Sequence, residues 1–135
     1  YNIATGGKMF IFSKYTNMNS IDIDHMTMYN CIGNGNYFVD FGDSDHGPSI
    51  FTISNSLFTK TPDTATGKNI RSSLTPTVSN SYSTSDFYKV LKGVEAWTDV
   101  SSEAVFTDPA NANFTLTSKY ANLGIGDSRW IVVSE

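Results

Sequence analysis

The chain has 135 residues, enough for one domain with a real core and too few for two ordinary ones, and it is 39% apolar but only 16% charged. Its formal charge is −4, and its nine Lys and Arg form no basic run, which excludes a nucleic-acid groove built on clustered cations. Ser, Thr and Asn number 17, 15 and 12; such side chains compete for backbone hydrogen bonds, so with nine Phe and seven Tyr the composition predicts an all-β fold.

The start, "YNIATGGKMFIF", shows no basic region followed by an apolar stretch, so no signal peptide is expected, and it reads as the interior of a longer chain. No apolar run approaches the ~18–20 residues that span a bilayer. Met9 to Phe12 is the first strand candidate. Ile21 to Tyr29, "IDIDHMTMY", alternates apolar and polar side chains as a half-buried strand does. Cys31 is the single cysteine, which excludes an internal disulfide and fits a small buried hydrophobe. Tyr37 to Phe41, "YFVDF", is another strand candidate.

Phe51 to Phe58, "FTISNSLF", and Thr77 to Tyr82, "TVSNSY", resemble the Ile21 segment. Aligning Ile23, Ile53 and Val78 puts His25, Asn55 and Asn80 in one column, two positions on. Short strands recurring every 20–30 residues are the sign of a stacked solenoid, in which a repeated Asn can form a ladder at the bend. An antiparallel sandwich would show more Asn-Gly or Asp-Gly turns, and only "GNGN" at 33–36 resembles one. The expected fold is therefore an all-β right-handed parallel β-helix occupying residues 1–135, with a capping segment over 106–135. Lys60 to Lys68 is a loop on Pro and Gly content. Ser85 to Trp97 places Phe87, Val90, Leu91 and Val94 at helical spacing, with Gly93 interrupting; a short helix and an irregular crossover fit it equally.

The last stretch, "FTDPANANFTLTSKYANLGIGDSRW", carries two motifs. Phe106, Asp108, Pro109, Ala110, Asn111 and Phe114 resemble a Phe-x-Asp-Pro-Ala-Asn-Gly-Asp-Phe pattern. Gly126, Asp127, Arg129 and Trp130 resemble Gly-Asp-Pro-Arg-Trp. Together they resemble the close of DUF5123 domains, found in bacterial secreted and surface polysaccharide-processing proteins of the pectate-lyase superfamily. Ala112 and Asn113 stand where Gly-Asp is usual, and Ser128 stands where Pro is usual. The resemblance implies a β-helix preceded by further coils of the same chain, a secreted or cell-surface location and a polysaccharide partner, but it specifies no activity. Physically, Phe114, Leu116, Ile125 and Trp130 supply an apolar cover for an open sheet, and Asp127 with Arg129 can pair.

Chemistry has few candidates. Asp40 to Gly47, "DFGDSDHG", offers Asp40, Asp43 and Asp45 as oxygen ligands for calcium, an ion the resembled superfamily often uses. The stretch lacks the Gly and distal Glu of a full EF-hand, and a solvated polar turn is the favoured alternative. Asp22 and Asp24 share one strand face and could serve as paired carboxylates, but their alternation with Ile21 and Ile23 already explains them as the solvent side. His25 and His46 show no orienting partner. Arg71 could clamp a sugar carboxylate. Tyr15, Tyr29, Tyr37, Tyr82, Tyr88 and Trp97 could stack on pyranose faces; strand aromatics mostly fill the interior, so the loop residues Tyr88 and Trp97 are the foremost. The preferred reading is a non-catalytic domain of a polysaccharide-processing protein, with the end of a polysaccharide lyase or hydrolase, or an adhesive surface module, as alternatives.

Overall fold

The computed structural model describes residues 9–12, 18–33, 35–43, 46–65, 69–89 and 91–132. Among the described residues up to Ala96 there are ten short strands: β1 (Phe10–Ile11), β2 (Ser20–Asp24), β3 (Thr27–Tyr29), β4 (Val39–Asp40), β5 (Ile50–Ser54), β6 (Leu57–Thr59), β7 (Ile70–Arg71), β8 (Thr77–Ser79), β9 (Tyr82–Ser83) and β10 (Glu95–Ala96). They form three parallel sheets, ordered β1-β4-β7, β2-β5-β8 and β3-β6-β9-β10. The pairing register aligns Ile23 with Ile53 and Ile53 with Val78, so the apolar column read from the sequence is the column the sheet uses.

The expected right-handed parallel β-helix is not what the chain forms. The strands are only two to five residues long, they lie in separate small sheets that close into no solenoid, and the last quarter of the chain departs from parallel pairing altogether. There a four-residue helix α1 (Ser102–Val105) leads into β11 (Phe106–Asp108), a 3₁₀ turn over Pro109–Asn111 and β12 (Asn113–Leu116), which pairs antiparallel with β11. A second four-residue helix, α2 (Ser118–Ala121), and a 3₁₀ turn over Ser128–Trp130 complete it. The physical cause is in the connections. Bends at His25, Asn30, Asn55, Lys60 and Asn80 end β2, β3, β5, β6 and β8 after a few residues, and the segment from Phe106 onward carries enough apolar surface to bury itself on a sheet face.

The bend is the repeated element. His25, Asn55 and Asn80 all have positive φ, at 50°, 48° and 40°, the left-handed region that Asn tolerates best among residues with a Cβ. The next residue in two of the three units is a buried serine. Ser56 donates to Ser54 O and Ser81 to Ser79 O, while each accepts a backbone N–H from the neighbouring unit, Met26 and Ser56 respectively. Buried hydroxyls thus satisfy the backbone groups that the turn leaves without ladder partners.

Two hydrophobic clusters flank the third sheet. One holds Ile23, Met28, Phe38, Ile53, Phe58 and Phe87. The other holds Leu57, Val105, Phe106, Phe114, Leu116 and Ile125, with Tyr29 and Tyr82 packed against it. Successive strand residues point to opposite faces, so the C-terminal segment covers the face of this sheet opposite Met28 and Phe58. Phe114, Leu116 and Ile125 are buried as expected of cover material; Trp130 is half-buried, edge-on to Phe114 at 5.6 Å. Between Ser85 and Trp97 the chain follows the irregular path, with turns at Phe87 and Val94 rather than a helix; Val90 lies outside the described residues.

The Pro109–Asn111 turn ends on Ala112 at φ 62°, ψ 24°. A Cβ in this region costs about 1–2 kcal/mol, which explains why the resembled motif uses glycine there. Ala112→Gly is expected to stabilise the domain by about 0.5–1 kcal/mol after the entropy of the freer unfolded chain is subtracted. Urea unfolding checks this, and a loss of stability would contradict it.

Candidate functional site

Of the three carboxylates read as calcium ligands, Asp40 and Asp43 lie among the described residues, and each is engaged by another side chain. Asp40 is the second residue of β4, pairs in register with Arg71 on β7, and is only 2% exposed. Its carboxylate accepts Gly42 N–H at 2.8 Å and lies 3.6 Å from Arg71 Nη1. Two residues expected in different sites, a metal ligand and a sugar clamp, are therefore partners of each other. Arg71 also lies over the Tyr37 ring, 5.7 Å from its centre. Asp43 is engaged by His46 Nδ1, and Asp45 lies outside the described residues. Among the described residues no three His, Cys, Asp or Glu side chains converge as a metal ligand set would.

Asp22 and Asp24 share the outward face of β2, as the alternation predicts. Asp22 is engaged by Thr52 on β5; Asp24 accepts from Ser54 Oγ at 2.8 Å and Asn55 Nδ2 at 2.9 Å, with His25 Nδ1 2.8 Å away. Asn55 in turn accepts from Asn80, which also donates to Leu123 O. The ladder thus runs between side chains across β2, β5 and β8, with Asp24 taking the place expected of His25. Hydrogen bonds from His25, then Asn55 and Ser54, hold the Asp24 carboxyl down at about 2 from an ordinary 3.8. A carboxyl that acidic carries no proton near neutrality and makes a poor general acid.

A folded-state value below the unfolded one means that Asp24 contributes stability above about pH 4, and that this contribution fades as the pH falls toward 2. Asp24→Asn is expected to flatten the loss of thermal midpoint between pH 4 and 2. Parallel profiles for the two proteins would show that the ladder contributes nothing through this charge.

The aromatic candidates separate. Tyr88 is 36% exposed, and its N–H reaches Thr61 Oγ1 at 3.3 Å. Trp97, just after β10, stacks on Tyr82 of β9, with ring centres 4.6 Å apart and planes at 26°; on α2, Tyr120 lies 5.1 Å from it. Tyr82 and Trp97 keep part of their surface exposed, whereas Tyr120 is buried. With Val100, Lys119 and Leu123 these three rings line an open depression of about 430 Å³. Sequence reasoning found Trp97, weighed Tyr82 but set it aside as a strand residue, and missed Tyr120. Tyr82 sits two positions after the Asn80 bend and was readable as a strand residue; Tyr120 comes from a segment with no repeat to place it.

The closing motif is a docking device. Gly126 N–H donates to Asn55 O at 2.7 Å, and Asp127 N–H donates to Thr27 Oγ1 at 2.8 Å, pinning the turn to β3 and the bend before β6. Asp127 accepts from the Arg129 guanidinium at 2.9 Å and from Arg129 N–H at 3.0 Å, which hold its carboxyl below the usual range, while the carboxylate beside it holds the Arg129 guanidinium above its own. The family model described as a domain of unknown function (DUF5123) matches residues 21–130, a span containing both C-terminal motifs and all three repeated strand units.

The chain belongs to the DUF5123 family. No curated protein and no solved structure matches it. Within this DUF5123 domain no helix among the described residues is long and apolar enough to cross a membrane.

Proposed function

We propose that this DUF5123 domain is a non-catalytic part of a secreted or cell-surface bacterial protein that handles polysaccharide in a system of the pectate-lyase type. Its glycan contact is the depression formed by Tyr82, Trp97 and Tyr120. The observation that carries the reading is the row of three rings with two of them partly exposed, since aromatic faces offer pyranose C–H surfaces an apolar match at low entropic cost. The acidic groups support a non-catalytic role: Asp40 is engaged with Arg71, and Asp24 is too acidic to donate a proton.

The test is migration of the domain through gels containing acidic or neutral polysaccharides, with calcium or a chelator, alongside an assay for released oligosaccharide. Retardation by at least one polysaccharide without product release is expected, and Trp97→Ala should weaken it by about tenfold or more. Product release would replace this reading with an enzymatic one, and unretarded migration in every gel would remove the glycan.

A further inference from the structure

Lys89 is 1% exposed, one of the largest fully buried side chains of the domain, and its Nζ has no hydrogen-bond partner among the described residues. Buried lysines are ordinarily paired, because an ammonium stripped of water and left without an acceptor is strongly disfavoured. The nearest acid in sequence, Asp86, is committed elsewhere. It accepts Ser102 N–H at 3.0 Å, Ser102 Oγ at 2.5 Å and Thr84 Oγ1 at 2.6 Å, bonds that seat the start of α1.

Lys89 lines a cavity of about 220 Å³ together with Ser83, Ser85, Phe87, Trp97 and Thr98. We propose that this cavity binds a small carboxylate, whose anion takes the place of the missing partner of Lys89. Among the described residues the lining carries no second cation, so a monoanion neutralises the site where a divalent phosphate would leave excess negative charge. Hydroxyls on one side and the Phe87 and Trp97 rings on the other suit an organic acid with both polar and apolar faces. Trp97 borders this cavity and the aromatic depression alike, yet the two sites differ in chemistry: the cavity requires a carboxylate, and the depression requires none.

The experiment is calorimetric titration of the 135-residue chain and of Lys89→Met with acetate, glucuronate, glucose and inorganic phosphate. Saturable binding of acetate and glucuronate, absence of glucose binding, and loss of about tenfold or more in Lys89→Met are expected. Lys89→Met should fold at least as well as the parent, since it removes a buried unpaired charge. If it does not fold, amide shift changes at Ser83, Lys89 and Thr98 on adding glucuronate to the parent decide the matter. Silence toward both carboxylates, equal binding of glucose, or phosphate binding as tightly as acetate would each overturn the proposal. A domain that binds neutral polysaccharide but no carboxylate keeps the glycan reading and loses this one.

Discussion

Replacing Gly126 by alanine is expected to lower the stability of the domain by about 2–4 kcal/mol. Two separate costs contribute. Gly126 sits at φ +75°, where a Cβ is strained by about 1–2 kcal/mol whatever surrounds it. The space is also taken: a Cβ there would collide with Thr27 Oγ1, with Leu57 Cβ at 3.8 Å behind it. Thr27 cannot simply turn away, because its hydroxyl oxygen accepts the Asp127 N–H, and Gly126 itself is tied to Asn55 O. The turn must lift, and lifting it loosens Ile125, which is fully buried.

Gly124→Ala provides the internal control. Its φ of +63° imposes the same backbone strain, but nothing lies within 4 Å of the added Cβ, so only about 1 kcal/mol should be lost. Urea unfolding followed by tryptophan fluorescence reads both variants, since Trp97 and Trp130 pack against the C-terminal cluster. Equal losses at the two glycines would mean that the turn is not seated on Thr27.

What could be read from the sequence divides along a physical line. The column Ile23, Ile53, Val78 was legible because strand alternation and the Asn bend are local signals, and parallel pairing keeps them in register. Whether short parallel sheets close into a solenoid depends on how the connections run, and loops rich in Ser, Thr and Asn leave no periodic trace of that. For a related reason the partners of the acidic cluster could not be read from the sequence. Asp40, Asp43 and Asp45 are neighbours in sequence, but the register of β4 against β7 sets Asp40 beside Arg71, a partner 31 positions away. Lys89 carried no sequence signal, since a lysine between Tyr88 and Val90 in "DFYKVL" reads as ordinary surface.

The same division between local and long-range order sets up a second large effect, at β6. Phe58 is fully buried, with Phe38 at 5.4 Å edge-on and Phe87 at 5.9 Å, and it belongs to the cluster between the sheets. Phe58→Ala is expected to cost about 3–5 kcal/mol, the range for emptying a core aromatic site whose walls cannot fully collapse. Its neighbour Leu57 is equally buried but faces the other cluster, against Phe106 and Ile125, and Leu57→Ala should cost about 2–5 kcal/mol. The totals overlap, so the discriminating measurement is residue-resolved amide exchange. Phe58→Ala should raise exchange in all three parallel sheets. Leu57→Ala should raise it first at amides such as Thr117 N–H, which is bonded to Val105 O within the C-terminal segment, while Ile53 on β5 stays protected. If the two variants instead raise exchange everywhere to the same degree, the two clusters unfold as one unit, and the covering segment is as much a part of the core as the sheets it covers.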